Sequence, residues 1–131
     1  MIDYGRPFRR GRVIFGNIVP WDTVWRTGAN AASQFITDRE LQLAGKLLSA
    51  GEYTLWTFPS QRGWTLIFNS QTRQWGTEYD SARDVLRVPM NVTTLTEPVE
   101  QFIILLEPRE GGGVLRLRWD TKEAWIPFSV R

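Results

Sequence analysis

The sequence predicts an all-β fold: a single-domain antiparallel β-sandwich, jelly-roll-like, with little helix. Apolar and polar residues alternate with period two through most of the chain. The alternating runs are short and rich in aromatic and β-branched residues, and turn residues separate them. With 131 residues and no low-complexity linker, the chain reads as one domain over 1–131. A chain of that size buries roughly two-thirds of its unfolded surface.

Ser33 to Thr37 reads as the first clear strand. Leu41-Gln42-Leu43 and Lys46-Leu47-Leu48 flank Ala44-Gly45, which favours strand, tight turn, strand. A helix over Asp38 to Leu48 ranks lower, because Gly45 falls mid-span and the polar face is thin. Tyr53 to Phe58 makes a strand that Pro59 is expected to end. Gln61-Arg62-Gly63 turns, and Trp64 to Asn69 returns as the partner of a hairpin, with Trp64, Leu66 and Phe68 on one face. The aromatics Tyr53, Trp56, Phe58, Trp64 and Phe68 are expected in the core. Tyr79 to Asp84 offers a single helical turn.

Val85 to Val92 alternates, with Leu86, Val88, Met90 and Val92 inward. Arg87, Pro89 and Asn91 face outward, and Pro89 marks an edge or bulge. Val99 to Glu107 holds the longest apolar run and reads as a central strand covered on both faces. After the loop Glu110 to Gly113, Val114 to Trp119 alternates with Leu115, Leu117 and Trp119 inward. Asp120-Thr121-Lys122 is expected to turn the chain into a last strand, Glu123 to Val130.

Composition excludes several kinds of chemistry. There is no His and no Cys, which removes imidazole bases, Ser-His-Asp and Cys-His catalysis, disulfides and nearly all zinc sites. Net charge is +2. Residues 1–30 hold Arg6, Arg9, Arg10, Arg12 and Arg26 against Asp3 and Asp22. That bias is too small for the basic stripe of a nucleic-acid binder, so no nucleic-acid partner is expected. No run approaches the roughly 20 apolar residues of a membrane helix, so no membrane span is expected. Met1-Ile2-Asp3-Tyr4 has neither the basic nor the apolar region of an export leader. Seven tryptophans are the unusual feature, since Trp serves both cores and binding faces.

The motifs Gly11-Arg12-Val13-Ile14-Phe15-Gly16, Val19-Pro20-Trp21 and Val24-Trp25-Arg26-Thr27-Gly28-Ala29-Asn30 come first. Ala50 to Pro59, Ile67-Phe68-Asn69, Gln74-Trp75-Gly76 with Tyr79, and Asp84 to Val88 follow in order. Together they resemble a bacterial family labelled domain of unknown function 2911. The resemblance runs from about Tyr4 to Val92 and implies an all-β domain without an established activity. Members often carry an export leader, which favours a mature exported, periplasmic form over a cytoplasmic one. Many members have Pro in place of Ser49. Some have an acidic residue in place of Ala31 and some have His in place of Gln34, so chemistry that used those groups would be absent from this chain.

Two groups of residues are candidates for a binding site. In Trp25 to Asn30, Arg26 offers a planar fork for a carboxylate, phosphate or sugar hydroxyl. Asn30 adds a directional hydrogen bond, and Gly28 allows close backbone approach. The competing structural reading pairs Arg26 with a buried carboxylate such as Asp84. The second group, Asn69, Trp75 and Tyr79, lies on the loop after the hairpin, where Trp75 and Tyr79 can stack on a sugar ring. Its competing reading is a loop pinned by its own aromatics. Arg87 reaches toward the site from its outward face. The run Arg6 to Arg12 is either a solvated surface or a contact for an anionic surface or ligand. Glu78 and Asp80 offer an oxygen-ligand pair for a metal but lack the spacing of a calcium loop, and no catalytic residue, cofactor or metal is assigned. The leading expectation is non-catalytic binding of a small polar, carbohydrate-like ligand. The alternatives are a structural or interaction domain, as a homodimer through exposed Trp and an edge strand, and a His-independent enzyme using Tyr79 or a carboxylate.

Overall fold

A computed structural model describes residues 1–29, 32–72, 75 and 79–131. Among them lie β1 (Ile2–Asp3), β2 (Ser33–Thr37), β3 (Leu41–Leu43), β4 (Lys46–Leu48), β5 (Gly51–Ser60), β6 (Gly63–Asn69), β7 (Asp84–Arg109) and β8 (Gly112–Val130). The strands form one open antiparallel sheet in the order β1-β2-β5-β6-β7-β8-β3-β4. The all-β antiparallel expectation therefore holds. One cluster of buried side chains draws Phe35, Leu55, Leu66 and Phe68 from one half of the sheet and Leu43, Leu115, Leu117 and Ile126 from the other. The sheet thus folds over a common core.

Local chemistry explains the short elements. Ala44 and Gly45 both adopt positive φ (49° and 78°), the geometry of a tight hairpin turn between β3 and β4. Tyr79 to Asp84 supplies one 3-10 turn, Ser81–Arg83, whose Asp80 carboxylate accepts from the Ala82 N–H.

Pro59 does not end β5, contrary to expectation. Thr57 exchanges both backbone hydrogen bonds with Trp25. Pro59, two residues on, points its nitrogen the same way, toward the edge rather than toward β6. No ladder donor is lost, and the Pro59 carbonyl accepts from the Asp22 N–H at 2.8 Å. Pro89 faces the edge of the first half of β7 by the same parity, as the sequence implied.

The largest departure is at the C-terminal half. Instead of a meander of three strands, β7 and β8 form one long ribbon. Its register shifts between Thr94 and Val99 and again between Val99 and Ile103. Opposite these shifts Asp120 takes φ 52°, so the expected turn at Asp120 to Lys122 is a bend within a strand. The bend switches the inward face from Leu115, Leu117 and Trp119 to Ala124 and Ile126. It also brings the ribbon's tip to the chain's end, where the Val130 N–H donates to the Gly111 carbonyl at 2.8 Å. Val99 to Glu107 is not covered on both faces. Phe102 and Ile104 are buried on one face, but Ile103 and Leu105 on the other are only partly buried. Val92, expected inward, is 37% exposed because it lies beyond the last β6 partner.

Residues 4 to 29 contain no regular strand and lie across the bend. Phe15 packs on Trp64 (centroids 4.8 Å apart), and Trp25 packs on Phe102 (5.1 Å) and stacks on Trp119 (6.0 Å). The Tyr4 hydroxyl donates to the Ile104 carbonyl and accepts from the Ile104 N–H (3.1 Å), which closes that part of the β7 edge. The buried Asp120 carboxylate holds the segment in place. One oxygen accepts from the Ile14 N–H (3.0 Å) and the other from Arg9 Nε (2.7 Å).

Removing this carboxylate strands a buried donor and a partly buried cation. Asp120→Ala is expected to cost roughly 2–4 kcal/mol in denaturant unfolding. Asp120→Asn costs less, because Asn tolerates positive φ and keeps one acceptor. Equal losses for the two variants would mean that the hydrogen bonds do not set the cost.

Candidate functional site

The two candidate groups occupy different places. Trp25 and Arg26 line a cavity of about 400 Å3 with Arg12, Ile18, Val24 and Trp119. Each wall has a local cause. Trp25 is held by its backbone bonds to Thr57 and by its stacking on Trp119. Thr27 is fully buried and its hydroxyl pairs with that of Thr57 (3.2 Å), while its carbonyl accepts from the Ser33 hydroxyl (2.6 Å). These contacts fix the backbone on both sides of Arg26.

Arg26 itself is half-buried, and its only polar contact among the described residues is a long one, Nε to the Gly28 carbonyl at 3.4 Å. The expected partner, Asp84, is engaged elsewhere. Arg12 donates to the carbonyls of Phe8 (2.8 Å) and Arg9 (2.9 Å) and meets no carboxylate among the described residues. The cavity therefore combines two guanidinium groups with an indole wall, and its described lining contains no carboxylate. Asn30 lies outside the described residues.

The second group converges on Asp84 and closes on itself. Asp84 Oδ1 accepts from Asn69 Nδ2 (2.9 Å), and Oδ2 accepts from the Tyr79 hydroxyl (2.6 Å) and from Arg87 Nη2 (2.7 Å) and Nε (2.9 Å). Arg87 Nη2 also donates to the Tyr79 oxygen at 3.0 Å. Asn69 is fully buried and also donates to the Asp80 carbonyl and accepts from the Gln71 N–H. The Tyr79 ring packs on Trp56 at 4.9 Å. Burial and then the hydrogen bond to Asp84 push the Tyr79 phenol up to about 12. This arrangement pins a loop and leaves its donors committed. Trp75 stands apart from it, 62% exposed.

Two wall residues were missed as site residues. Trp119 was placed only as an inward aromatic, and Arg12 only as part of a basic run. Both reach the cavity through the bend at Asp120, which no local pattern announces. An ion-pair chain on the outer face of the β7–β8 ribbon was also missed. Arg116 joins Glu107 (2.8 Å) to Glu123 (2.7 Å), and Arg118 and Arg109 extend the chain at its two ends. The alternation Arg116-Leu117-Arg118 was the available signal. Of the proposed oxygen-ligand pair, Glu78 lies outside the described residues, and Asp80 caps the 3-10 turn. No group of three or more acidic side chains placed to hold a metal occurs among the described residues.

An open antiparallel sheet, with a strandless segment folded over its bend and a cavity lined mainly by that segment, defines an all-β fold with a candidate ligand site. The chain belongs to the family described as Protein of unknown function (DUF2911), whose model matches residues 1–128. The match extends the resemblance into β8, as far as Phe128. No curated protein and no solved structure matches the chain.

The Asp84 network makes a pH prediction. The Tyr79 phenol has a folded pKa raised above its unfolded value near 10, so its contribution is complete below pH 10 and is lost as pH rises toward 12. Tyr79→Phe is expected to cost about 1 kcal/mol at neutral pH and to flatten the alkaline loss of stability between those values. Unfolding curves across that range check it, and an unchanged alkaline slope would assign the loss to other groups.

Proposed function

We propose that the protein binds a small polar, carbohydrate-like ligand in the cavity beside Trp25 and Arg26 and does not transform it. The observation that carries this reading is Arg26, a half-buried guanidinium with no counter-ion among the described residues, on the wall of the cavity. A guanidinium withdrawn from water without a carboxylate is costly unless something polar completes it. Its planar fork suits a carboxylate, a phosphate or adjacent hydroxyls. The indole of Trp25 offers a flat apolar surface of the kind that packs on a sugar ring. A volume of about 400 Å3 lies within the range of small-molecule sites. The absence of a carboxylate from the described lining favours binding over acid–base catalysis there.

The test is a thermal-shift screen against neutral sugars, sugar acids and phosphates. Ligand at a hundred times its dissociation constant stabilises the fold by about 2.7 kcal/mol. Arg26→Gln is expected to change basal stability by less than about 1 kcal/mol, since no ion pair is lost, and to abolish the shift. Trp75→Ala is expected to leave both stability and the shift unchanged. A loss of several kcal/mol in Arg26→Gln would instead make Arg26 a structural residue. Silence across the screen with cooperative unfolding would move the reading to an interaction domain.

A further inference from the structure

We infer that the segment from Arg6 to Ile18 is a docking surface for an anionic lipid bilayer. Of its four arginines, only Arg9 forms an ion pair among the described residues, with Asp120. Arg6 Nε donates to the Phe102 carbonyl and Arg12 donates to two carbonyls, so neither meets a carboxylate among the described residues. Arg10 sits at the tip of a tight turn, with φ 53° followed by Gly11 at 71°, and the Arg12 N–H closes that turn on the Arg9 carbonyl. The Arg10 side chain has no polar partner among the described residues. Besides Asp120, the Glu100 carboxylate lies against the segment, accepting from the Arg10 backbone N–H.

Exposed apolar side chains are interleaved with these cations. Phe8 is 45% exposed, Val13 62% and Ile18 46%. Arg12 links them. Arg12 bonds the Phe8 carbonyl, Val13 follows Arg12, and Arg12 and Ile18 line the same cavity. A second turn, with the Asn17 N–H on the Ile14 carbonyl, leads into Ile18.

This mixture selects among anionic partners. Phosphates of a nucleic acid gain nothing from Val13 or Ile18, and the local charge excess is small for that role. A bilayer interface rewards both halves, with cations at the headgroups and aliphatic groups in the acyl boundary. Neither half suffices alone, and two weak signals together give reversible attachment. The tight turns present the side chains with little ordering cost.

The experiment is co-sedimentation of the full chain with vesicles of phosphatidylglycerol and phosphatidylcholine, against vesicles of phosphatidylcholine alone, at low ionic strength. Arg10 and Val13 carry the test because neither lines the cavity of the proposed ligand site, so the two readings fail independently. Binding is expected only to the anionic vesicles and is expected to fall as salt rises. Arg10→Gln is expected to weaken it about fivefold, and Val13→Ser about fourfold or more. Circular dichroism and the thermal midpoint establish that both variants are folded. Equal binding to neutral vesicles, or folded variants that bind like the parent chain, would overturn the proposal. Release by inorganic phosphate far beyond that by chloride at equal ionic strength would also overturn it, since it would mark a phosphate site and not a bilayer contact.

Discussion

One buried carboxylate holds the architecture together. Asp120 stands where β8 bends, in a backbone conformation that short polar residues tolerate better than most. Its two oxygens take one backbone N–H and one arginine from the strandless segment. The bend and the segment therefore specify each other. Without the bend the carboxylate would not face the core's open end, and without Ile14 and Arg9 it would be a buried charge with no partners. Phe15, Trp25 and the cavity over Trp119 are where they are because this joint is closed. The apolar contacts around it supply most of the favourable free energy, while the carboxylate fixes which arrangement of those contacts is adopted.

What could be read in the sequence was whatever depends on near neighbours. The β3–β4 turn followed from Ala44-Gly45, and the β5–β6 hairpin from alternation and Gly63. The inward faces of β6 and of early β8 followed from period two. Pro59 misled because its effect depends on which side of the strand is paired, and that is settled by Trp25, far away in the chain. Asp120 misled because a polar residue before Thr-Lys looks like a turn, and a bend in a strand has the same local composition. The apolar run after Val99 misled because length of run signals double burial, whereas the outer side of this ribbon is covered by its own arginine–glutamate chain.

The candidate site was legible in part for the same reason. Trp25 and Arg26 stood out as unusual neighbours, and the structure gives them a cavity wall. Asn69, Tyr79 and Arg87 stood out equally, yet they satisfy one another through Asp84. Residue type alone cannot separate these outcomes, because the same guanidinium and phenol groups serve a ligand or a loop. The distinction lies in where the hydrogen bonds go. Asp84 takes up the donors of the second group, and among the described residues nothing but one long contact takes up those of Arg26.

The Asp120 joint also orders events during synthesis. Its partners lie 106 and 111 positions away along the chain. The N-terminal segment thus leaves the ribosome long before its anchor exists, with Phe15 and Trp25 still lacking Trp119 as a partner. Closing a contact of that span comes late in folding, after the loop entropy has been offset by the local hairpins. Until β8 has been made, the nascent chain must therefore shelter an aromatic-rich, arginine-rich segment. Completion of β8 is the event that lets the segment's aromatic side chains leave the exposed pool on which chaperones and proteases act.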